Sequence, residues 1–254
     1  SWIWLARLAK RLRREAFDIS IDFQNTKRTH LLAFLAGIGD RYGFRRGILG
    51  RLLNHPDLSF QEPDSPIRHQ FRILSRLGIN PLEEKLELWP DAESEAEVLS
   101  WLHEKGIPPG EKIVGFAIGS SPRWATKRWP IEHFCSLAQR LAERGGCQVL
   151  LIGSSEEEAL GRELTRQVKG VIDWTGRTSL GELVSLIKQL RVLVTGDTAP
   201  LHIATALGIP TVALFGPTDP GRHLVRANGT TVLMRRLPCQ PCYKGICHYS
   251  EPLA

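Results

Sequence analysis

Between Arg191 and Pro220 the chain reads RVLVTGDTAPLHIATALGIPTVALFGPTDP, and few folds can accommodate that order of residues. Val192–Thr195 is a β-branched apolar run, which suits a strand buried on both faces. Gly196 lets the chain turn. Asp197 or Thr198 is a natural N-cap, and Pro200 falls in the first helical turn, where a missing N–H costs nothing. Leu201, Ala204, Thr205 and Leu207 continue a short helix that Gly208 ends, and Thr211–Phe215 forms a second buried strand closed by Gly216-Pro217. Strand, loop, helix and parallel strand make one βαβ unit. Its first loop opens toward the crevice beyond the strand ends, where open α/β sheets bind phosphorylated ligands. On these residues alone, Asp197 and Thr198 serve equally well as plain helix caps.

The rest of the chain repeats the pattern. Ile113–Ile118, Val149–Ile152 and Val171–Trp174 read as strands. They alternate with helical periods over Ile131–Arg144, Ser155–Val168 and Ser179–Leu190, so a parallel sheet covered on both faces is expected. Ahead of these, Gly106-Ile107-Pro108-Pro109-Gly110 is the clearest linker, following a helix over Ser94–Lys105. Residues 1–92 therefore read as one domain, 93–110 as helix and linker, and 111–254 as a second domain. In the first, Trp2, Leu5, Leu8, Ala9 and Leu12 recur at helical spacing with Arg and Lys between them. Phe17–Phe23 alternates as a strand, Lys27–Ala36 is a helix, and a strand begins at Arg41. Residues 47–66 read as loop, Pro66–Leu77 as a short helix and Leu86–Leu88 as a strand.

Composition narrows the function classes. The chain is 42% hydrophobic and 24% charged, which is ordinary for a globular protein, and no apolar run is long enough to span a bilayer. The first residues lack the continuous apolar core and cleavage site of a signal peptide. A net charge of +6 suits an anionic partner. No nucleic-acid-binding motif is present, so nucleic acid is not expected. Cys239, Cys242, Cys247 and His248 have spacing open to a structural metal or a reduced thiol set, while Cys135 and Cys147 read as core residues.

The segments DTAPLH and ALGIPTVALFGPTDP resemble the donor-site signature of glycosyltransferase family nine, the ADP-heptose:lipopolysaccharide heptosyltransferases. The likeness extends to TKRWP at Thr126–Pro130, to the TGRTSL stretch at Thr175–Leu180, and to the D-x-Q-x-x-x-R-S pattern, with Asp22, Gln24, Asn25 and Arg28 at its polar positions. It implies an α/β protein of GT-B type with two Rossmann-like domains, the first incomplete in this chain. It also implies an inverting, metal-independent transfer of heptose from ADP-heptose to the lipopolysaccharide inner core, with no cofactor. The location implied is cytoplasmic, and peripheral contact with the inner membrane is left open. Three other readings stay open: a transferase using another nucleotide-sugar, a GT-B-like nucleotide-sugar epimerase, and a non-catalytic nucleotide-binding fragment.

By the same resemblance Lys127 contacts the diphosphate, with Ser120 and Ser121 at the strand end beside it and the start of the helix at Asp197, Thr198 and Ala199 opposite. Ser155 or Glu156 reaches the ribose, Thr178 lines the base pocket, and His202 faces the donor. Ala199 stands where the family usually has Gly, which costs strain only if that position needs positive φ. The family's catalytic base, an Asp in the first strand-to-helix loop, aligns ahead of Ser1, so no residue here takes that role. The chain's only methionine is Met234, and the expectation is of a fragment that binds nucleotide and turns over poorly.

Overall fold

The computed structural model describes residues 2–58, 65–80, 83–225 and 229–247. It divides into two units, the first ending at Glu84 and the second starting at Lys85.

In the first unit, α1 (Trp2–Arg14) precedes β1 (Ile19–Asp22), α2 (Lys27–Leu35), β2 (Asp40–Phe44), β3 (His55–Asp57) and α3 (Pro66–Ser75). The strands form a parallel sheet in the order β1-β2-β3. Leu5 and Ala9 turn the apolar stripe of α1 inward while its Arg and Lys side chains stay in solvent. Residues 47–66 hold more structure than their turn-rich composition predicts. A 3-10 turn at Ile48–Leu52 leads into β3, which is only three residues long and contains a proline, so it carries no readable alternation. Part of that stretch lies outside the described residues.

The second unit contains α4 (Ala92–Glu104), β4 (Ile113–Ala117), α5 (Ile131–Arg144), β5 (Gln148–Ile152), α6 (Glu158–Gln167), β6 (Ile172–Asp173), α7 (Leu180–Lys188), β7 (Val192–Gly196), α8 (Ala199–Leu207), β8 (Thr211–Phe215), α9 (Pro220–His223) and β9 (Thr230–Met234). Its parallel sheet runs β6-β5-β4-β7-β8-β9. Both faces are buried along β4, β5 and β7, while the edge strand β9 is largely exposed, and the pleat sorts the residues. Ile113, Ala117, Leu150, Ile152 and Leu193 pack on one side with Val98, Leu102, Val184, Ile187 and Ala204. Val114, Phe116, Val149, Leu151 and Val194 pack on the other with Phe134, Ala138 and Leu164.

Three local expectations change. The helix read as lying between the domains, α4, belongs to the second core through Val98 and Leu102, and Trp101 stacks on Trp174. Leu86–Leu88 forms no strand, and Leu88 packs against that same core. The helix expected from Ser155 starts as a 3-10 turn, Ser155–Glu157, before α6. Two helix starts are capped by bonds within their own first turn. Asp91 caps α4 by accepting from the Ser94 N–H, and Ser179 with Glu182 makes a capping box on α7.

Candidate functional site

The strand order reverses direction between β4 and β7, and loops leaving the carboxyl ends of such a pair diverge and leave a crevice. A cavity of about 490 Å³ lies there, wholly within the second unit. The loop after β4 contributes Gly119, Ser120, Ser121, Trp124 and Lys127, and the loop after β5 contributes Gly153, Ser154, Glu156 and Glu157. Thr178, Ser179, Leu180 and Leu183 come from the start of α7, while Asp197, Thr198, Ala199 and Pro200 come from the start of α8.

At the start of α8 the sequence leaves few free donors. Pro200 has no N–H, the N–H of Thr198 donates to the Gly196 carbonyl at 2.9 Å, and that of Leu201 donates to the Thr198 carbonyl at 3.0 Å. Among the described residues, the N–H groups of Asp197 and Ala199 have no protein acceptor. Thr198 holds the N-cap position without a side-chain cap, its hydroxyl meeting Thr195 Oγ1 at 3.2 Å. Ala199 is helical, so an Ala there carries no strain.

Lys127 meets this helix start. Its Nζ donates to Asp197 Oδ2 at 2.6 Å and to the Asp197 carbonyl at 3.3 Å, and lies 4.9 Å from the centre of the Trp124 ring. Thr218 Oγ1 donates to the same carboxylate oxygen at 2.8 Å. The side chains of Lys127 and Asp197 are 14% and 4% exposed. Burial pushes the Asp197 carboxyl up. Hydrogen bonds from Lys127 and Thr218, with the charges of Lys127 and His223, outweigh that and hold it below the ordinary carboxylate value. The expected lysine cation is therefore one half of a buried pair. An ammonium has three N–H donors, and Asp197 takes two, which leaves one for a ligand.

Arg128 is also committed. It donates to the Ser120 carbonyl at 2.7 Å and to Ser120 Oγ at 3.2 Å, and reaches Glu157 Oε1 at 3.3 Å. Glu157 in turn accepts from Ser154 N and Ser154 Oγ at 2.9 and 2.6 Å. These bonds tie the loops after β4 and β5 together, and a Cβ on Gly119 would collide with Glu157. The cavity is thus lined by neutralised pairs and directed donors.

Of the residues picked out from sequence, Ser120, Ser121, Lys127, Glu156, Thr178, Asp197, Thr198 and Ala199 line the cavity. Ser155 and His202 do not. Ser155 sits on the outer edge of a turn whose inner side is taken by Glu157. His202 is three residues into α8, about 4.5 Å further along the axis, and is half-buried there. Burial lowers the pKa of its ring, with Asp197 opposing and His223 and Lys127 adding to the effect. Sequence reasoning missed Trp124 and Glu157. Trp124 lies in a 3-10 turn with a non-helical kink, which leaves no periodicity to read. Glu157 was legible in principle, since Ser154-x-x-Glu157 has capping-box spacing and the structure forms that box.

In the first unit, Asp22 accepts from the Asn25 N–H at 2.9 Å and from Thr29 Oγ1 at 2.6 Å, and His30 Nε2 approaches it at 3.3 Å. Asp22 thus fixes the turn into α2, while Gln24 and Arg28 line a groove with Trp2 and Trp4. Cys239, Cys242 and Cys247 are free thiols, and the described residues hold no group of three side chains set to bind a metal. His248 lies outside the described residues.

Residues 5–251 match the model of glycosyltransferase family 9 (heptosyltransferase). The chain is 31% identical over 227 residues to lipooligosaccharide heptosyltransferase 2 of Haemophilus influenzae, and 31% identical over 224 residues to lipopolysaccharide heptosyltransferase 2 of Escherichia coli. Each alignment covers 84% of this chain and 64% of the relative, so the chain spans under two thirds of the length of either. A family 9 glycosyl transferase from Veillonella parvula superposes with a TM-score of 0.79 at 23% identity, covering 91% of this chain and 66% of that one. The E. coli ADP-heptose LPS heptosyltransferase II superposes with a TM-score of 0.71 at 25% identity, covering 90% and 72%. E. coli heptosyltransferase WaaC, solved with ADP, superposes at 0.67 and 22% identity, covering 87% and 67%. The fold is accordingly α/β of the GT-B class.

Proposed function

Because the chain belongs to glycosyltransferase family 9, we propose that the cavity between β4 and β7 holds the ADP part of an ADP-heptose donor, and that the protein transfers heptose to the lipopolysaccharide inner core. The observation that carries this reading is the meeting of Lys127 Nζ with the open start of α8 at the switch point of the sheet. Leaving ADP gathers negative charge as its bond to the anomeric carbon lengthens. The remaining Lys127 N–H and the amides of Asp197 and Ala199 can donate to that charge with little reorganisation. Ser121 extends the donor row, Glu156 accepts from the ribose hydroxyls, and Thr178, Leu180 and Leu183 form the wall for the base, while the Ser120 hydroxyl is spent on the Trp124 carbonyl at 2.9 Å and shapes the loop behind them. An inverting displacement also needs a base on the acceptor hydroxyl, and no residue of this chain is assigned to it.

A lipid-borne acceptor calls for contact with a membrane surface, and the first 58 residues suit one. They contain eleven Lys and Arg against five Asp and Glu, a surplus of six that equals the charge of the whole chain. Trp2, Ile3 and Trp4 are exposed at the start of α1 among those cations, an arrangement suited to an anionic lipid interface. No helix among the described residues is long and apolar enough to cross a membrane. Calorimetric titration with ADP, ADP-heptose, UDP and a UDP-sugar tests the donor assignment. Binding confined to the adenine nucleotides is expected, and failure of all four to bind overturns the reading. Release of ADP from ADP-heptose only when a heptose-deficient core acceptor is present tests the transfer.

A further inference from the structure

The cysteine-bearing segment 237–247 is left unused by the reading above, yet it lies against the turn that carries Lys127. Thr126 Oγ1 donates to the Lys244 carbonyl at 2.6 Å, and Gly245 comes so near the Arg123 carbonyl that any Cβ would collide with it. The segment is fixed on its other side. Tyr243 N–H donates to the Pro217 carbonyl at 2.9 Å, and Gln240 Nε2 donates to the Gly216 carbonyl at 2.9 Å. The loop after β8 packs against the same turn. A Cβ on Gly216 would stand 3.1 Å from the Thr126 carbonyl, and one on Gly196 would stand 2.8 Å from the Lys127 carbonyl. From outside their own loop, residues 123–127 are therefore held by three segments. Two of the holding segments end sheet strands, and the third is this C-terminal one.

We propose that residues 237–247 form a strap that positions the Lys127 turn for the anion, with Gly245 and Thr126 as positioning residues. Within its own loop the turn is tied by the Trp124 N–H to the Ser121 carbonyl at 2.8 Å and by Ser120 Oγ to the Trp124 carbonyl at 2.9 Å. It is a 3-10 segment with a non-helical kink at Trp124 and no side-chain cap at Ser121. Without the strap, Lys127 would keep its bond to Asp197 while the backbone behind it shifted. The free N–H of its ammonium would then no longer point at the phosphate. The inference rests on the nucleotide diphosphate reading for its consequence, while the strap itself is a statement about the turn.

Two measurements on Gly245→Ala and the milder Thr126→Val separate these. Hydrogen exchange in a peptide spanning residues 122–128 should quicken at least several-fold in both variants, with peptides from α6 unchanged. No change in either variant overturns the strap. ADP affinity should fall about tenfold in Gly245→Ala, as expected for a small misplacement of binding groups. The same substitution should have little further effect in a Lys127→Ala background. An equal loss in both backgrounds overturns positioning through Lys127. If the parent binds no ADP, the site reading falls and the exchange result alone decides the strap.

Discussion

Replacing Lys127 by Ala tests two consequences of one contact. The Asp197 carboxylate, 4% exposed, would keep its bond from Thr218 at 2.8 Å and lose the ammonium at 2.6 Å. Breaking a buried ion pair from one side costs about 3–5 kcal/mol, because the remaining charge stays desolvated. The surviving hydroxyl points to the lower end, about 3 kcal/mol. For a unit of this size that lowers the melting temperature by roughly 6–12 °C. If the third ammonium N–H serves a phosphate, losing that charge-assisted bond costs about 1.5–3 kcal/mol, or roughly 10- to 150-fold in ADP affinity. Calorimetry gives the second figure and a thermal melt the first. The double variant Lys127→Ala/Asp197→Ala removes the stranded carboxylate, and should melt above the single variant with a coupling of about 1.5 kcal/mol or more. A single variant that melts within about 2 °C of the parent and binds ADP equally would refute the reasoning, as would strictly additive melts.

Further outcomes follow from other contacts. Arg128→Met strips donors from Ser120 and from the buried Glu157, and should cost about 1–3 kcal/mol in urea unfolding; a loss below about 0.5 kcal/mol contradicts that role. His30 is buried, and burial lowers its pKa, with Asp22 only partly opposing. The stability it contributes is therefore full above about pH 6.5 and lost as pH falls through its lowered folded value. Its ring resonance should titrate below about pH 6.5, and a midpoint at or above that value is the wrong sign. Co-sedimentation should show the protein on anionic vesicles and much less on zwitterionic ones. Trp2→Ala/Trp4→Ala should reduce the bound fraction by at least about half if these rings reach the interface. Equal binding to both vesicle types argues against the surface.

Much of this was legible because local chemistry agreed with tertiary need. Apolar runs such as Val192–Thr195 and Thr211–Phe215 have no polar face to offer solvent, so they had to be buried strands, and Gly208 at φ 70° ends α8 as a helix-stopping glycine should. Ser179 with Glu182 and Asp91 with Ser94 are bonds within one turn, fixed by spacing alone. The alternation of these elements sufficed for a doubly wound sheet, and their motifs for the family.

What the sequence could not decide involves residues far apart along the chain. That Lys127 is paired follows from Asp197, seventy positions away, reaching the same crevice only after β4 and β7 have become neighbours. That α4 is part of a core and not a linker depends on α7 presenting Val184 and Ile187 to it. The choice of Glu156 over Ser155 at the cavity wall depends on Arg128 and Ser154 holding Glu157 on the inner side of the turn. Residue types and spacing fix local conformation and burial tendency. Which charges end up compensated is a property of neighbours brought together by folding, and that sets the chemistry of the site.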